Sequence, residues 1–212
     1  VRVVSIGGGP AGLYAGILMK KAFPELDFEL HERSRPDETL DSGVVFADET
    51  LGFLEQADPE TSREIRAALR SWTDIRTFVR GQWTRSSGHG FSAIAHATLL
   101  GILRRRAEEL GCRIRHGSEA ADVERHLDAD LVLGADGASS GVRERFAASF
   151  GARVELGSCL SCGLDAVLPL DSLAFAFVET AHGLFQAHVY PCEERRASFV
   201  VEADEDAWRA AG

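Results

Sequence analysis

The sequence predicts an α/β fold: a Rossmann-like dinucleotide domain with a parallel sheet, joined to a β-rich second lobe. Three observations carry this. Val1–Ile6 is a short apolar run that passes directly into Gly7-Gly8-Gly9-Pro10-Ala11-Gly12. Glu32 lies twenty residues beyond Gly12, just after a second apolar run, Phe28–Leu30. The stretch Arg153–Ala203 reads as a series of strands rather than helices.

The first element follows from Val1, Val3, Val4 and Ile6, which read as a buried parallel strand. The glycines after it have separate tasks. Gly7 permits the tight turn out of the strand, Gly9 lets the backbone approach a pyrophosphate, and Gly12 lets the next helix pack closely on the sheet. Leu13, Ile17 and Met19 give that helix its apolar face, and Pro24 marks its exit because proline cannot continue a helix. The pyrophosphate would rest on free backbone N–H groups at the positive helix end. Phe28–Leu30 is the second strand, and Glu32 falls where a carboxylate accepts from a ribose 2′-OH. A 2′-phosphate would be repelled there, so the nucleotide expected is FAD or NAD. The competing reading is a structural glycine turn followed by a surface glutamate.

Arg33-Ser34-Arg35-Pro36-Asp37 reads as a polar loop, and Ser42–Phe46 as an apolar stretch with a glycine hinge. Helices are expected over Asp48–Gln56 and Glu60–Leu69, strands over Thr73–Trp83, and a flexible polar loop over Ser86–Phe91. Thr98–Leu110 is an amphipathic helix with an apolar face of Leu99, Leu100, Leu103, Ala107 and Leu110, stopped by Gly111. Arg113–His116 and Leu131–Leu133 are strands. Phe175–Glu179, Leu184–Tyr190 and Ala197–Glu202 form a β meander, and Ala207–Gly212 reads as the start of a helix. The organisation expected is 1–71 with 93–150 as the nucleotide domain, and 72–92 with 151–212 as the β-rich lobe.

Composition excludes several classes. A net charge of −10 is a poor footprint for nucleic acid, and Arg104-Arg105-Arg106 is short enough to be the solvated face of a helix. No apolar run is long enough to span a membrane, and no signal peptide precedes the first strand, so a cytoplasmic location is expected. Cys159 and Cys162 have CxxC spacing but no second ligand pair, so metal is not expected. The four cysteines, Cys112, Cys159, Cys162 and Cys192, read as buried or half-buried thiols.

A second motif follows the Leu131–Leu133 strand: Gly134-Ala135-Asp136-Gly137-Ala138-Ser139-Ser140-Gly141-Val142-Arg143. An aspartate at the carboxyl end of a parallel strand lies at the rim where open α/β sheets bind ligands. The alternative is an Asp-Gly turn capping a helix through Ser139 or Ser140.

With the glycine loop, this motif resembles those of the single-component FAD-dependent aromatic hydroxylases, whose fold is that of p-hydroxybenzoate hydroxylase. A narrower resemblance lies in Gly43–Gly52, Gly88-His89-Gly90-Phe91 and Glu179–His188. These are similar to salicylyl-CoA 5-hydroxylase and the hydroxylase part of anthraniloyl-CoA monooxygenase. The resemblance implies that FAD is held by Gly7, Gly9, Pro10, Ala11, Gly12, Glu32, Arg33, Val45, His96, Ala120, Asp136 and Gly137. It implies His89, Gln186 and His188 as polar groups near an aromatic or aryl-CoA substrate, and it names no catalytic acid or base. NAD(P)H would reduce FAD, which would then activate oxygen and hydroxylate the ring.

Two departures stand out. His96 occupies the position where family members commonly carry an arginine toward the FAD phosphates, and a neutral imidazole donates one hydrogen bond where arginine offers a charged fork. The family's Gly-Asp segment does not occur before Gly212, so a fragment is expected, the alternative being a partner chain that completes the site. The alternatives are a nicotinamide-dependent oxidoreductase without flavin and a catalytically incomplete flavin-binding fragment.

Overall fold

The computed structural model describes residues 1–35, 43–118 and 123–212. The predicted loop beyond Arg35, residue Ser42 and the candidate Ala120 lie outside the described residues. The chain divides into two compact units, Val1–Thr39 with Leu99–Val154, and Leu40–Thr98 with Glu155–Gly212.

The first unit is built on four parallel strands: β1 (Arg2–Ile6), β2 (Asp27–His31), β6 (Arg113–Arg115) and β7 (Leu131–Gly134), in the order β6-β2-β1-β7. Val3, Val4, Ser5 and Ile6 are all buried, on both faces of the pleat. A strand covered on both sides has no polar face to present, which is why it reads as a continuous apolar run. Helix α1 (Pro10–Ala22) lays Leu13 and Ile17 on the sheet. Gly16 keeps that approach close: a Cβ there would meet the Phe28 ring at 2.9 Å and Cys112 Sγ at 3.1 Å. Burial pushes the Cys112 thiol up to about 11. Helix α4 (His96–Glu109) buries Leu99, Leu100, Leu103 and Ala107 of the predicted face and Ile102 besides; Leu110 lies past its end, half-buried, and Gly111 follows at φ +85°. Strand β6 is tied to β2 by ion pairs from Arg113 to Asp27 and Glu29 and from Arg115 to Glu29.

The second unit holds β3 (Gly43–Ala47), β4 (Arg70–Val79), β5 (Gln82–Ala95), β8 (Cys159–Ala166), β9 (Leu173–Thr180), β10 (Gly183–Pro191) and β11 (Ala197–Asp204). They form one sheet in the order β3-β5-β4-β9-β10-β11-β8. Every pairing is antiparallel except β4 with β9. The β4–β5 turn uses Arg80 at φ +49° and Gly81 at φ +81°, two positive values that match the twist of a two-residue hairpin. Trp72, Ala93, Leu173, Tyr190 and Cys192 form its core, with Ile75, Phe91 and Phe175 packed against them. Tyr190 Oη donates to the Gly43 carbonyl at 2.9 Å, and a Cβ on Gly43 would press on the Tyr190 ring. Helices α2 (Asp48–Ala57) and α3 (Pro59–Ala68) bury Leu51 and Ile65, and the fully buried Asp58 between them accepts from Thr61 Oγ1 at 2.5 Å.

Several expectations change. Ser86–Phe91, read as a loop, lies inside β5, because cross-strand pairing with β4 overrides its weak local preference. Residues 43–71 and 93–98, placed with the nucleotide domain, cluster with the second unit, since β3 pairs with β5 along its whole length. Cys159 is exposed rather than buried.

Leu30 is completely buried in the parallel sheet. Leu30→Ala is expected to lower unfolding free energy by about 2–5 kcal/mol, seen as a lower urea midpoint at unchanged slope.

Candidate nucleotide site

The first unit brings the glycine loop, Glu32 and Asp136 to the carboxyl ends of β1, β2 and β7. Gly7 turns out of β1 at φ +108°, and its N–H donates to the His31 carbonyl at 2.8 Å. A Cβ at Gly7 would overlap the Ala135 carbonyl, and one at Gly12 would overlap the Gly7 carbonyl. A Cβ at Gly8 would press on Glu32 Cβ and Leu30 Cδ2, both at 2.8 Å. Beside Gly9 the situation reverses, for none of the described residues lies within 4 Å of its would-be Cβ. Three glycines therefore allow the backbone to fold on itself, and the fourth faces open space.

Helix α1 starts at Pro10 with Gly9 as N-cap, and no side chain caps it or places an acid in its first turn. Pro10 has no N–H, and the first intrahelical bond runs from Leu13 N to Gly9 O at 3.1 Å. The N–H groups of Ala11 and Gly12 thus lack helical acceptors, which suits them to an anion at the positive end of the dipole.

Glu32 follows β2, with one oxygen accepting from Gly8 N at 2.6 Å and the other from Ser34 N at 2.8 Å. Partial burial pushes its carboxyl up, but the Ser34 and Gly8 N–H groups and the Ser34 hydroxyl outweigh that and hold it below the ordinary value. Glu32 is therefore an anion at neutral pH, with lone pairs left for a ribose hydroxyl. Ser118 N donates to the Glu32 carbonyl at 3.1 Å, so a neighbouring loop fixes the same residue from the other side of its backbone. Arg33 is exposed beside it.

Asp136 behaves differently from a simple rim carboxylate. Ser140 Oγ donates to Oδ1 at 2.5 Å and Val142 N to Oδ2 at 3.1 Å. Ser140 Oγ in turn accepts from Arg143 N at 2.9 Å and caps the short helix α5 (Gly141–Arg145). Burial raises the Asp136 carboxyl, but the Ser140 hydroxyl and the surrounding backbone N–H groups win and lower it. One turn thus carries the helix cap through Ser140 and places Asp136 at the carboxyl end of β7. Gly137, at φ +89°, leaves the space beside it open.

The other candidates lie in the second unit. Val45 is on β3, and 40% of it is exposed. His96 is the first residue of α4; burial lowers its pKa, and its buried Nδ1 has no hydrogen-bond partner among the described residues. Gln186 and His188 share one face of β10, where Gln186 Nε2 donates to Glu202 at 3.1 Å and His188 meets the Phe175 ring edge-on at 5.8 Å. His89 Nε2 lies 2.8 Å from Ser86 Oγ on its own strand. Among the described residues no cluster of His, Cys, Asp or Glu could hold a metal, and no helix is long and apolar enough to cross a membrane. Sequence reasoning missed the roles of Gly8 and Ser34, although the triple glycine was the available signal for the first.

The chain is 38% identical over all its 212 residues to a salicyloyl-CoA 5-hydroxylase from Streptomyces sp. It is 31% identical over 205 residues to a 3-hydroxy-4-methyl-anthranilyl-[aryl-carrier protein] 5-monooxygenase from Streptosporangium sibiricum. It spans 41% and 57% of the lengths of these relatives. No family model matches the chain. Among solved structures, the tetrameric form of 2-methyl-3-hydroxypyridine-5-carboxylic acid oxygenase superposes with a TM-score of 0.77 at 22% identity, over 96% of this chain and 59% of that one. PqsL of P. aeruginosa, in complex with 2-aminobenzoylacetate, gives 0.73 at 16% identity, over 99% and 62%. The fold is shared with these proteins, and the resemblance drawn from the sequence rests on similarity along the whole chain.

Gly9→Ala and Gly12→Ala separate the two kinds of glycine. Gly12→Ala is expected to destabilise the fold by more than about 1 kcal/mol in chemical denaturation, because the Gly7 carbonyl must move. Gly9→Ala is expected to leave stability within about 0.5 kcal/mol and to weaken dinucleotide binding in a direct titration.

Proposed function

We propose that the chain serves a FAD-dependent monooxygenase that hydroxylates an aromatic ring presented as a thioester of coenzyme A or of a carrier protein. One observation carries the reading: a glycine cradle open only at Gly9, next to an ionised Glu32, in a chain similar throughout to two aryl-thioester hydroxylases. The residues fit the ADP half of FAD. The N–H groups of Ala11 and Gly12 would hold the pyrophosphate, and Glu32 the adenosine ribose, whose unphosphorylated 2′-OH it accepts. Bound flavin would supply the oxygen-transfer chemistry, with NAD(P)H as reductant.

The protein's own part is to bind, orient and shield. Asp136, held by Ser140 and Val142, fixes the turn that leaves the space at Gly137 open. His96 is the candidate group for the flavin phosphates, and burial keeps it neutral at pH 7. Gln186 and His188 offer polar contacts on one strand face, with Phe175 beside them as an apolar neighbour for an aromatic ring. A nicotinamide-dependent enzyme without flavin would use the same cradle, but both relatives bear the names of hydroxylating enzymes.

Full-length protein is expected to purify yellow and to oxidise NAD(P)H faster when an aromatic acyl-CoA is added; protein that takes up no FAD would overturn the reading. Glu32→Gln is expected to weaken FAD binding about tenfold or more, measured by flavin fluorescence quenching, since a charged acceptor is lost. Because the Glu32 carboxyl lies below its ordinary 4.5, its contribution to binding and stability is present above that pH and fades only as pH falls through the lowered value. FAD affinity should therefore show no Glu32-dependent change between about pH 6 and 8. His96→Arg is expected to tighten FAD binding several-fold at pH 7, because a permanent charge replaces a neutral ring; unchanged affinity would remove His96 from the phosphate site.

A further inference from the structure

The β4–β5 ribbon carries a constellation that the nucleotide cradle does not use. Arg76 and Arg85 stand directly opposite each other across the two strands. Like charges so placed destabilise a sheet unless something neutralises them. Asp74, two residues before Arg76 on β4, forms an ion pair with Arg85. The Ser87 side chain and Arg85 hold the Asp74 carboxyl below its ordinary range, so this pair stays charged. Arg76 has no carboxylate within ion-pair distance among the described residues. Its guanidinium lies over the Trp83 ring, 5.3 Å from the centroid.

Trp83 is 54% exposed, and its cross-strand partner Phe78 meets it at 5.2 Å with the rings tilted by 49°. On the next strand, β9, the positions paired with Arg76 and Phe78 are Ala174 and Ala176, so no large side chain fills the space beside them. The result is a recess of about 430 Å³ lined by Asp74, Arg76, Trp83, Arg85 and Asp171.

We infer that this recess binds an adenosine phosphate, with a phosphate on Arg76 and the purine against the part of Trp83 that stays exposed beside that guanidinium. An exposed indole is a platform for a base, and a guanidinium already resting on it presents its planar fork to phosphate with little side-chain entropy left to lose. The inference rests on the thioester reading, because coenzyme A carries an adenosine phosphate at the end of its handle remote from the acyl group. A nicotinamide dinucleotide carries the same chemistry. Asp74, already paired with Arg85, and Asp171 also line the recess, and their charges limit the affinity for phosphate.

The test is isothermal titration of full-length, FAD-loaded protein with coenzyme A, with NADP⁺, and with pantetheine, which lacks the adenosine. Coenzyme A or NADP⁺ is expected to bind and pantetheine to give no signal; the binder names the source of the adenosine phosphate. Arg76→Ala and Trp83→Ala should each weaken that binding about tenfold, Arg76→Lys should recover part of it, and Asp171→Asn should tighten it a few-fold. Absence of binding by both nucleotides, or wild-type binding by Arg76→Ala and Trp83→Ala, overturns the inference. Hydroxylation of aryl-CoA in the same preparations keeps the two readings apart. Activity retained while coenzyme A binding ignores both substitutions refutes the recess alone. Binding lost in both variants of a protein that hydroxylates no aryl thioester refutes the proposed function alone.

Discussion

The candidate nucleotide site of this protein depends on the absence of three methyl-sized groups. At Gly7, Gly8 and Gly12 the backbone runs so close to the Ala135 carbonyl, to Glu32 and to its own Gly7 carbonyl that no Cβ fits. That crowding lets Gly8 N reach the Glu32 carboxylate and brings the start of α1 down over the loop. The strands β1, β2 and β7 are thereby linked at one end by backbone contacts as well as by their ladders. A charged carboxylate and a row of helix N–H groups are left beside the only glycine of the four with open space next to it.

The electrostatics of the cradle are internally balanced. Glu32 and Asp136 are both partly buried acids, and in each the penalty of burial is overcome by N–H and hydroxyl donors from the local chain. Such carboxylates are pre-organised: local donors keep them ionised and oriented, with the Arg33 charge adding to the effect at Glu32. Glu32 retains acceptor capacity for a ribose, whereas Asp136 spends most of its capacity on α5. What Asp136 fixes is therefore the shape of the turn at Gly137.

The second unit solves a different problem. Its sheet packs on an apolar cluster around Trp72 and Tyr190, with the Tyr190 hydroxyl satisfied by a backbone carbonyl. Elsewhere the sheet keeps large groups exposed, including Trp83, Leu164, Val178 and Leu184. Polar candidates such as Gln186 and His188 sit where a strand's two-residue period puts alternate side chains on one face. Local pairs, Gln186 with Glu202 and His188 with Phe175, hold them there.

The sequence by itself determined the cradle. A strand, four glycines, a helix and an acid at fixed spacing are all local, and each residue type answers a requirement within a few positions of itself. It also determined the meander, since Leu173–Thr180, Gly183–Pro191 and Ala197–Asp204 lie close together in the chain and pair with their neighbours. Only the tertiary structure decided that β5 continues through Ser86–Phe91, that β3 joins the second sheet, and that β4 lies parallel to β9. Those pairings join segments far apart in sequence or poor in intrinsic preference, where hydrogen bonds to a partner strand outweigh local propensity. The meeting of Arg76, Arg85 and Trp83 belongs to the same class. It is set by the register of a hairpin whose turn, Arg80-Gly81, carries no conspicuous signal until its two positive φ angles are seen.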